Sequence, residues 1–162
     1  MIKKNILNHA VLSCQNHRDL DKKTIKKFIS GYALMENAGK VVFKIIKKKF
    51  KKQKKIKILC GPGNNGGDGF IVAKLLKENG FQNVDLFCLV AKNKLKGDAK
   101  IAADNFNNNL KNFNEFKISS NDLIIDGIFG SGLKRNISGN LKKIIEKINM
   151  KKPYCISIDT PS

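Results

Sequence analysis

Arginine is almost missing from this chain. Only Arg18 and Arg135 stand among its 32 basic residues, and base and phosphate recognition usually leans on the planar guanidinium fork. Acidic residues are few as well, since 13 Asp and Glu leave a formal net charge of +19. A charge of that size raises the question of nucleic acid. The excess, however, is lysine spread over nearly every segment among many Asn and Ile, which marks compositional drift and not a recognition patch. Nucleic acid is therefore not expected as a partner, although a basic surface still attracts small anions. The lysine-rich run at 47–55, broken only by Phe50 and Gln53, reads as a basic helix end followed by a solvated connection.

Other absences narrow the field further. Cys14, Cys60, Cys88 and Cys155 form no CxxC pair and have no histidine at metal-ligand spacing, so no zinc site is written here. Cys60, Cys88 and Cys155 each fall in apolar, strand-like runs and read as small buried thiols. Free thiols suit a reducing compartment. Residues 1–12 contain Lys3 and Lys4 but no apolar stretch of signal-peptide length, and nothing approaches the roughly twenty apolar residues of a membrane span. A soluble, cytoplasmic protein without membrane contact is expected. No internal repeat or linker interrupts the chain, and its 162 residues, 41% of them apolar, suffice for one domain over 1–162 with one core.

What is present is an alternation of elements. Apolar residues at helical spacing predict a short helix over 16–29, stopped by Gly31, and a second over 32–50. The second places Leu34, Met35, Ala38, Val41, Val42, Ile45 and Ile46 on one face. From residue 56 the period changes. A strand at 56–60 leads into a glycine-rich turn and a helix over 70–79 closed by Gly80. Further strands are predicted at 84–90, 116–118, 123–125 and 154–158, with helices over 98–113 and 141–148 and a second glycine-rich loop over 127–139. Strands alternating with helices imply an α/β fold, a Rossmann-like three-layer αβα sandwich around a mostly parallel sheet.

In an open parallel sheet, ligands bind outside the carboxyl ends of the strands, near the point where strand order reverses. Three polar or glycine-rich segments share that address: 61–69, 126–132 and 159–162. Gly61, Gly63 and Gly66 form a GxGxxG pattern between a strand and a helix, a weak signal alone. Its physical sense is that glycines let the backbone approach a phosphate while the helix N-terminus offers unpaired N–H groups. It is not a P-loop, because Gly67 stands where lysine is required. It is not the ordinary dehydrogenase fingerprint either, since 89–92 supplies no acidic ribose ligand and Asp85 sits too early in its strand. Asn64, Asn65 and Asp68 add more polar groups than a plain turn requires.

The stretch Gly61-Pro62-Gly63-Asn64-Asn65-Gly66-Gly67-Asp68-Gly69 closely resembles the signature of the NAD(P)H-hydrate epimerase domain, the YjeF N-terminal family. Leu34-Met35-Glu36-Asn37-Ala38-Gly39 is similar to that family's early helix motif. Asp126-Gly127-Ile128-Phe129-Gly130-Ser131-Gly132-Leu133 resembles its second loop, and Ser157-Ile158-Asp159-Thr160-Pro161-Ser162 its third. The resemblance implies a first substrate loop of Asn64, Asn65, Gly66, Gly67 and Asp68. It implies a second of Gly130, Ser131, Gly132, Leu133, Lys134, Arg135 and Asn136, with Asp159 touching the nucleotide. It also implies one potassium ion (K+) per subunit beside these loops, at the matching residues Asn65, Asp126 and Ser162. Their amide, carboxylate and hydroxyl or carbonyl oxygens suit a hard cation. Asn136 stands where the family often has proline. The glycine and closing strands that the family carries beyond Ser162 do not follow, so a domain incomplete at its C-terminal end is expected.

The activity implied by the resemblance is an isomerase reaction, epimerisation of the R and S forms of hydrated NADH and NADPH (NADHX and NADPHX) at C6 of the nicotinamide ring. This repair step feeds a dehydratase, fused or separate, and the resemblance also implies a homodimer. Inverting that carbon needs departure of its hydroxyl or opening of the ring, and either route needs proton transfer. Asp159 is the expected catalytic acid/base and Asp68 the second candidate, while Asp159 can also be read as a strand-end carboxylate capping backbone N–H groups. Two other functions stay open. One is a non-catalytic nucleotide- or RNA-binding scaffold, which the intact Asn65, Asp68, Asp126 and Asp159 oppose. The other is a nicotinamide-linked oxidoreductase, which the missing ribose acid opposes.

Overall fold

The computed structural model describes residues 15, 16, 19, 20, 23, 25, 29–131, 133 and 136–162. Four strands, β1 (Ile56–Cys60), β2 (Val84–Cys88), β3 (Leu123–Gly127) and β4 (Tyr154–Ser157), form one sheet in the order β2-β1-β3-β4. Every pairing is parallel, with Ile58 level with both Leu86 and Ile125. Parallel strands covered on both faces read as continuous apolar runs. That is why Ile56, Ile58, Leu59 and Cys60 of β1 and Leu123, Ile124 and Ile125 of β3 are all buried at the centre.

The helices α1 (Gly31–Lys49), α2 (Asn64–Glu78) and α3 (Gly97–Asp104) share the core of one face, where Ile46, Phe70, Leu76 and Ala103 meet Ile58, Leu86 and Ile125. On the other face, Ile144 and Ile148 of α4 (Gly139–Lys151) and Phe116 cover Leu59, Phe87 and Ile124. The result is the expected three-layer αβα arrangement. No helix among the described residues is long and apolar enough to cross a membrane.

Several element boundaries differ from expectation, each for a local reason. Gly31 opens α1 instead of stopping a helix: Ser30 is the N-cap, its Oγ accepting from Ala33 N at 3.1 Å. In the earlier segment, residues 16, 19, 20, 23 and 25 are helical, Ile29 at its expected end is not, and the others expected there lie outside the described residues. On α1 the buried positions are Met35, Gly39, Phe43 and Ile46. Val41 and Ile45, expected on that face, are 57% and 40% exposed. Helix α2 begins at Asn64, not at residue 70, so Gly66, Gly67 and Gly69 are helical. Glycine disfavours a helix by propensity, but a Cβ at Gly67 would stand 2.5 Å from Met35 Cε and one at Gly69 2.6 Å from Cys60 Sγ. Close packing therefore overrides propensity in this turn.

The helix expected over 98–113 ends at Asp104. The strand expected at 116–118 is absent: those residues carry no regular structure and follow a 3-10 turn at Phe113–Glu115 with an Asn112–Glu115 capping box. Only Lys111 makes a ladder contact, its N–H donating to Leu86 O at 2.9 Å. Strand β4 is an edge strand. Cys155 on it is exposed, contrary to the buried thiol expected, and Cys88 is half-buried, whereas Cys60 is buried. Burial pushes the Cys60 thiol well above its ordinary value, with the nearby Cys88 and Asp68 adding to the shift. Burial also raises Cys88 and Cys155.

Candidate active site

The strand order reverses between β1 and β3, and the carboxyl ends of those strands are drawn tightly together there. Gly61 N donates to Gly127 O at 2.9 Å. A Cβ at Gly61 would clash with the Ile128 carbonyl oxygen and lie 2.8 Å from its carbon, so only glycine lets these backbones meet. Gly66 closes against Gly61 in the same way, its would-be Cβ 2.8 Å from the Gly61 carbonyl carbon. The first turn of α2 is thereby pinned over the sheet edge.

A cavity of about 1020 Å³ opens at this edge. The turn after β1 contributes Pro62, Gly63, Asn64, Asn65 and Asp68. The loop after β3 contributes Ile128, Phe129, Gly130, Ser131 and Leu133, and Ile158 and Asp159 follow β4. An apolar side is built from Leu34, Met35, Ala38 and Val41 of α1 together with Ile25, and Asp98 closes it beside Gly31.

The three loops are bonded to one another. Asn65 Nδ2 donates to Phe129 O at 2.6 Å, joining the first to the second. Ser131 N donates to Asp159 Oδ2 at 2.8 Å, joining the second to the third. A Cβ at Gly130 would lie 2.6 Å from Asp159 Oδ2 and 3.6 Å from Asn65 Cγ, so this glycine lets the two side chains approach. Asp159 holds a φ of 66°, in the left-handed region that few non-glycine residues occupy and that Asp tolerates best. Its bond to Ser131 N also satisfies the capping reading of this carboxylate.

Asp126 sits one layer behind. Ser162 N donates to its Oδ2 and Ser162 Oγ to its Oδ1, both at 2.8 Å, while Ile128 N donates to Oδ1 at 3.2 Å. Ser162 Oγ in turn accepts from Phe129 N at 3.0 Å. Asn65, Asp126 and Ser162 are thus linked through Phe129, and with its amide nitrogen committed, Asn65 keeps an oxygen as its ligand atom. Among the described residues no group of three or more His, Cys, Asp and Glu could hold a metal. The Asn65, Asp126 and Ser162 set is instead all oxygen with a single carboxylate, a composition that fits a hard, weakly charged cation and not a transition metal.

Of the residues singled out in the sequence, Asn64, Asn65, Asp68, Gly130, Ser131, Leu133 and Asp159 border the cavity. Gly66 and Gly67 are buried beneath it as packing positions. Asn136 is exposed and outside its wall, while Gly132, Lys134 and Arg135 lie outside the described residues. Sequence reasoning missed Asp98, Val41 and Ile25. Asp98 lies past the end of β2, beyond a 3-10 turn at Lys92–Lys94, where strand spacing gives no reason to look.

A family model described as "YjeF-related protein N-terminus" matches residues 31–162. The chain is 43% identical over 139 residues to the bifunctional NAD(P)H-hydrate repair enzyme Nnr of Dictyoglomus turgidum, covering 80% of this chain and 26% of that protein. It is 31% identical over 167 residues to the NAD(P)H-hydrate epimerase of Rhodopirellula baltica, covering 98% and 68%. To that of Lentilactobacillus buchneri it is 35% identical over 155 residues, covering 93% and 72%. The chain thus spans about a quarter of the bifunctional relative and about two thirds of the epimerases. The crystal structure of yeast ynu0 (YNL200c) superposes with a TM-score of 0.74 at 24% identity, covering 94% of this chain and 71% of that one, which establishes the likeness of fold.

Proposed function

The chain belongs to the YjeF-related N-terminal family, and from that membership we propose that it interconverts the R and S epimers of NADHX and NADPHX. The observation that carries this reading is the knot of three loops at the carboxyl edge of the sheet, which sets Asp159 against Ser131 at one wall of a cavity large enough for a dinucleotide. The α2 N-terminus and the glycine turn beside it offer backbone N–H groups to the phosphates.

The reacting carbon bears a hydroxyl and is bonded to the ring nitrogen. Asp159, in its acid form, gives a proton to that hydroxyl. The C6–O bond breaks as the nitrogen lone pair fills in, and water leaves. The ring then turns its opposite face toward Asp159, water adds to that face of the same carbon and Asp159 takes the proton back, so nothing is oxidised or reduced. Asp68, which also borders the cavity, is the alternative proton carrier. In Asp159→Asn the proton cannot be returned, and the epimerisation rate should fall by about 100-fold or more, while Asp68→Asn should cost less. A full rate in Asp159→Asn excludes the role.

Asn65, Asp126 and Ser162 are the proposed holders of one potassium ion, which when bound supplies positive charge near the anionic substrate. Their oxygen chemistry supports the assignment. Potassium should raise the melting temperature relative to lithium at equal ionic strength, and Asp126→Asn should abolish that difference. Relatives named as bifunctional repair enzymes support a second activity acting with this one, which we assign to a dehydratase, fused or separate. A homodimer working in the cytoplasm completes the proposal.

A further inference from the structure

We propose that Asp98 reads the adenosine ribose of the bound dinucleotide and favours a free 2′-hydroxyl over a 2′-phosphate, an inference that rests on the nucleotide reading of the same cavity. In a nucleotide-binding sheet whose phosphate turn follows β1, the ribose falls toward the neighbouring strand, where a carboxylate accepts its hydroxyls. Here β2 is that neighbour, and it ends at Cys88 without an acid. The connection continues through Lys92–Lys94, and Asp98, in the first turn of α3, brings a carboxylate to the cavity wall. The position usual for a ribose acid is vacant in sequence, yet a carboxylate is present at the cavity by a longer route.

Three further observations bear on its role. The carboxylate is seated against the α1 N-terminus at Gly31, where a Cβ would overlap Asp98 Oδ2 and stand 3.1 Å from its Cγ. Glycine at 31 therefore makes the room that Asp98 occupies. The adjoining wall of Leu34, Ala38 and Val41 is apolar and suits a purine face next to the sugar. The third observation is charge. Among the described residues the cavity is bordered by the carboxylates of Asp68, Asp98 and Asp159 and by no lysine or arginine. Lys92, Lys94 and Lys96 precede Asp98 in sequence, yet none of them reaches the wall. A 2′-phosphate would meet like charge there with no compensating cation among the described residues, and that repulsion discriminates against the wrong partner, whereas a vicinal diol donates to a carboxylate.

The test compares binding of NAD+ and NADP+ to the whole chain by isothermal titration at fixed ionic strength, in wild type, Asp98→Asn and Asp98→Lys, alongside kcat/KM for NADHX and NADPHX. The wild type should bind NAD+ tighter than NADP+ by about tenfold or more. Asp98→Asn should bring the two affinities together, and Asp98→Lys should invert them, with the kcat/KM ratios moving in step. If Asp98 only braces the α1–α3 contact, its variants will weaken both nucleotides equally and lower the melting temperature, leaving the ratio unchanged. That outcome, or a wild-type ratio near one, overturns the proposal while leaving the nucleotide site standing. Failure of the wild type to bind either dinucleotide, together with no turnover of NADHX, overturns both.

Discussion

Replacing Gly61 by alanine drives a methyl group into the Ile128 carbonyl oxygen. The added carbon would also stand 2.8 Å from the Ile128 carbonyl carbon and 3.3 Å from its Cα. All three obstacles are backbone, so no side chain can rotate away. Restoring ordinary carbon contact requires the end of β1 and the loop after β3 to separate by more than about 1 Å, and the Gly61 N to Gly127 O bond of 2.9 Å does not survive that. Overpacking in a rigid setting costs about 3 kcal/mol or more, a fall in melting temperature of roughly 6–12 °C for a chain of this size. Urea denaturation followed by circular dichroism measures it. Gly63→Ala is the control, since nothing lies within 4 Å of its added Cβ, and as a helix N-cap change it should cost about 1 kcal/mol or less. Both positions belong to the same turn, and only Gly61 has backbone pressed against it. If Gly61→Ala proves no more costly than Gly63→Ala, the ends of β1 and β3 do not meet at Gly61 and Ile128, and the floor of the cavity is not formed by their contact.

Three further outcomes follow from the same structure. Asp122→Ala leaves Lys57 Nζ, 2.6 Å away in a pair with side-chain exposures of 3% and 13%, without its partner. It also removes the acceptor for Ser119 N. The expected loss is about 3–5 kcal/mol by denaturant titration, and an Asp122→Leu, Lys57→Met double variant should recover much of it. Because burial holds the Cys60 thiol above its ordinary value, the folded chain keeps its proton at pH values where the unfolded chain loses it. That contribution is intact below the unfolded thiol value of about 8.5 and is lost as pH rises toward the folded value. Cys60→Ala should therefore lose stability less steeply than wild type above pH ~9, and parallel curves would contradict the assignment. Thiol labelling of the native chain should modify the exposed Cys155 well before the buried Cys60.

The sheet was the most legible part of the sequence, because a parallel strand buried on both faces must be apolar throughout. Ile56 to Cys60 and Leu123 to Ile125 could hardly be anything else. The convergence of the loops was legible too, since topology alone sends the turns after β1, β3 and β4 to one edge. The start of α2 was not. Its glycines argue for a loop by propensity, and only the proximity of Met35 and Cys60, residues distant in sequence or on another element, explains why they are helical. Exposure of Cys155, Val41 and Ile45 was equally hidden, because it depends on which strand forms the sheet edge and on how α1 is rotated. Asp98 escaped for a related reason: its place at the cavity is set by contact with Gly31, a tertiary fact with no local signature.

The most direct test is to supply the purified chain with a single epimer of NADHX in potassium buffer and follow the R and S forms by chromatography against a protein-free blank. Approach to the equilibrium mixture far faster than the blank, with Asp159→Asn close to the blank, is the predicted result. Wild type indistinguishable from the blank while circular dichroism shows it folded would contradict the account.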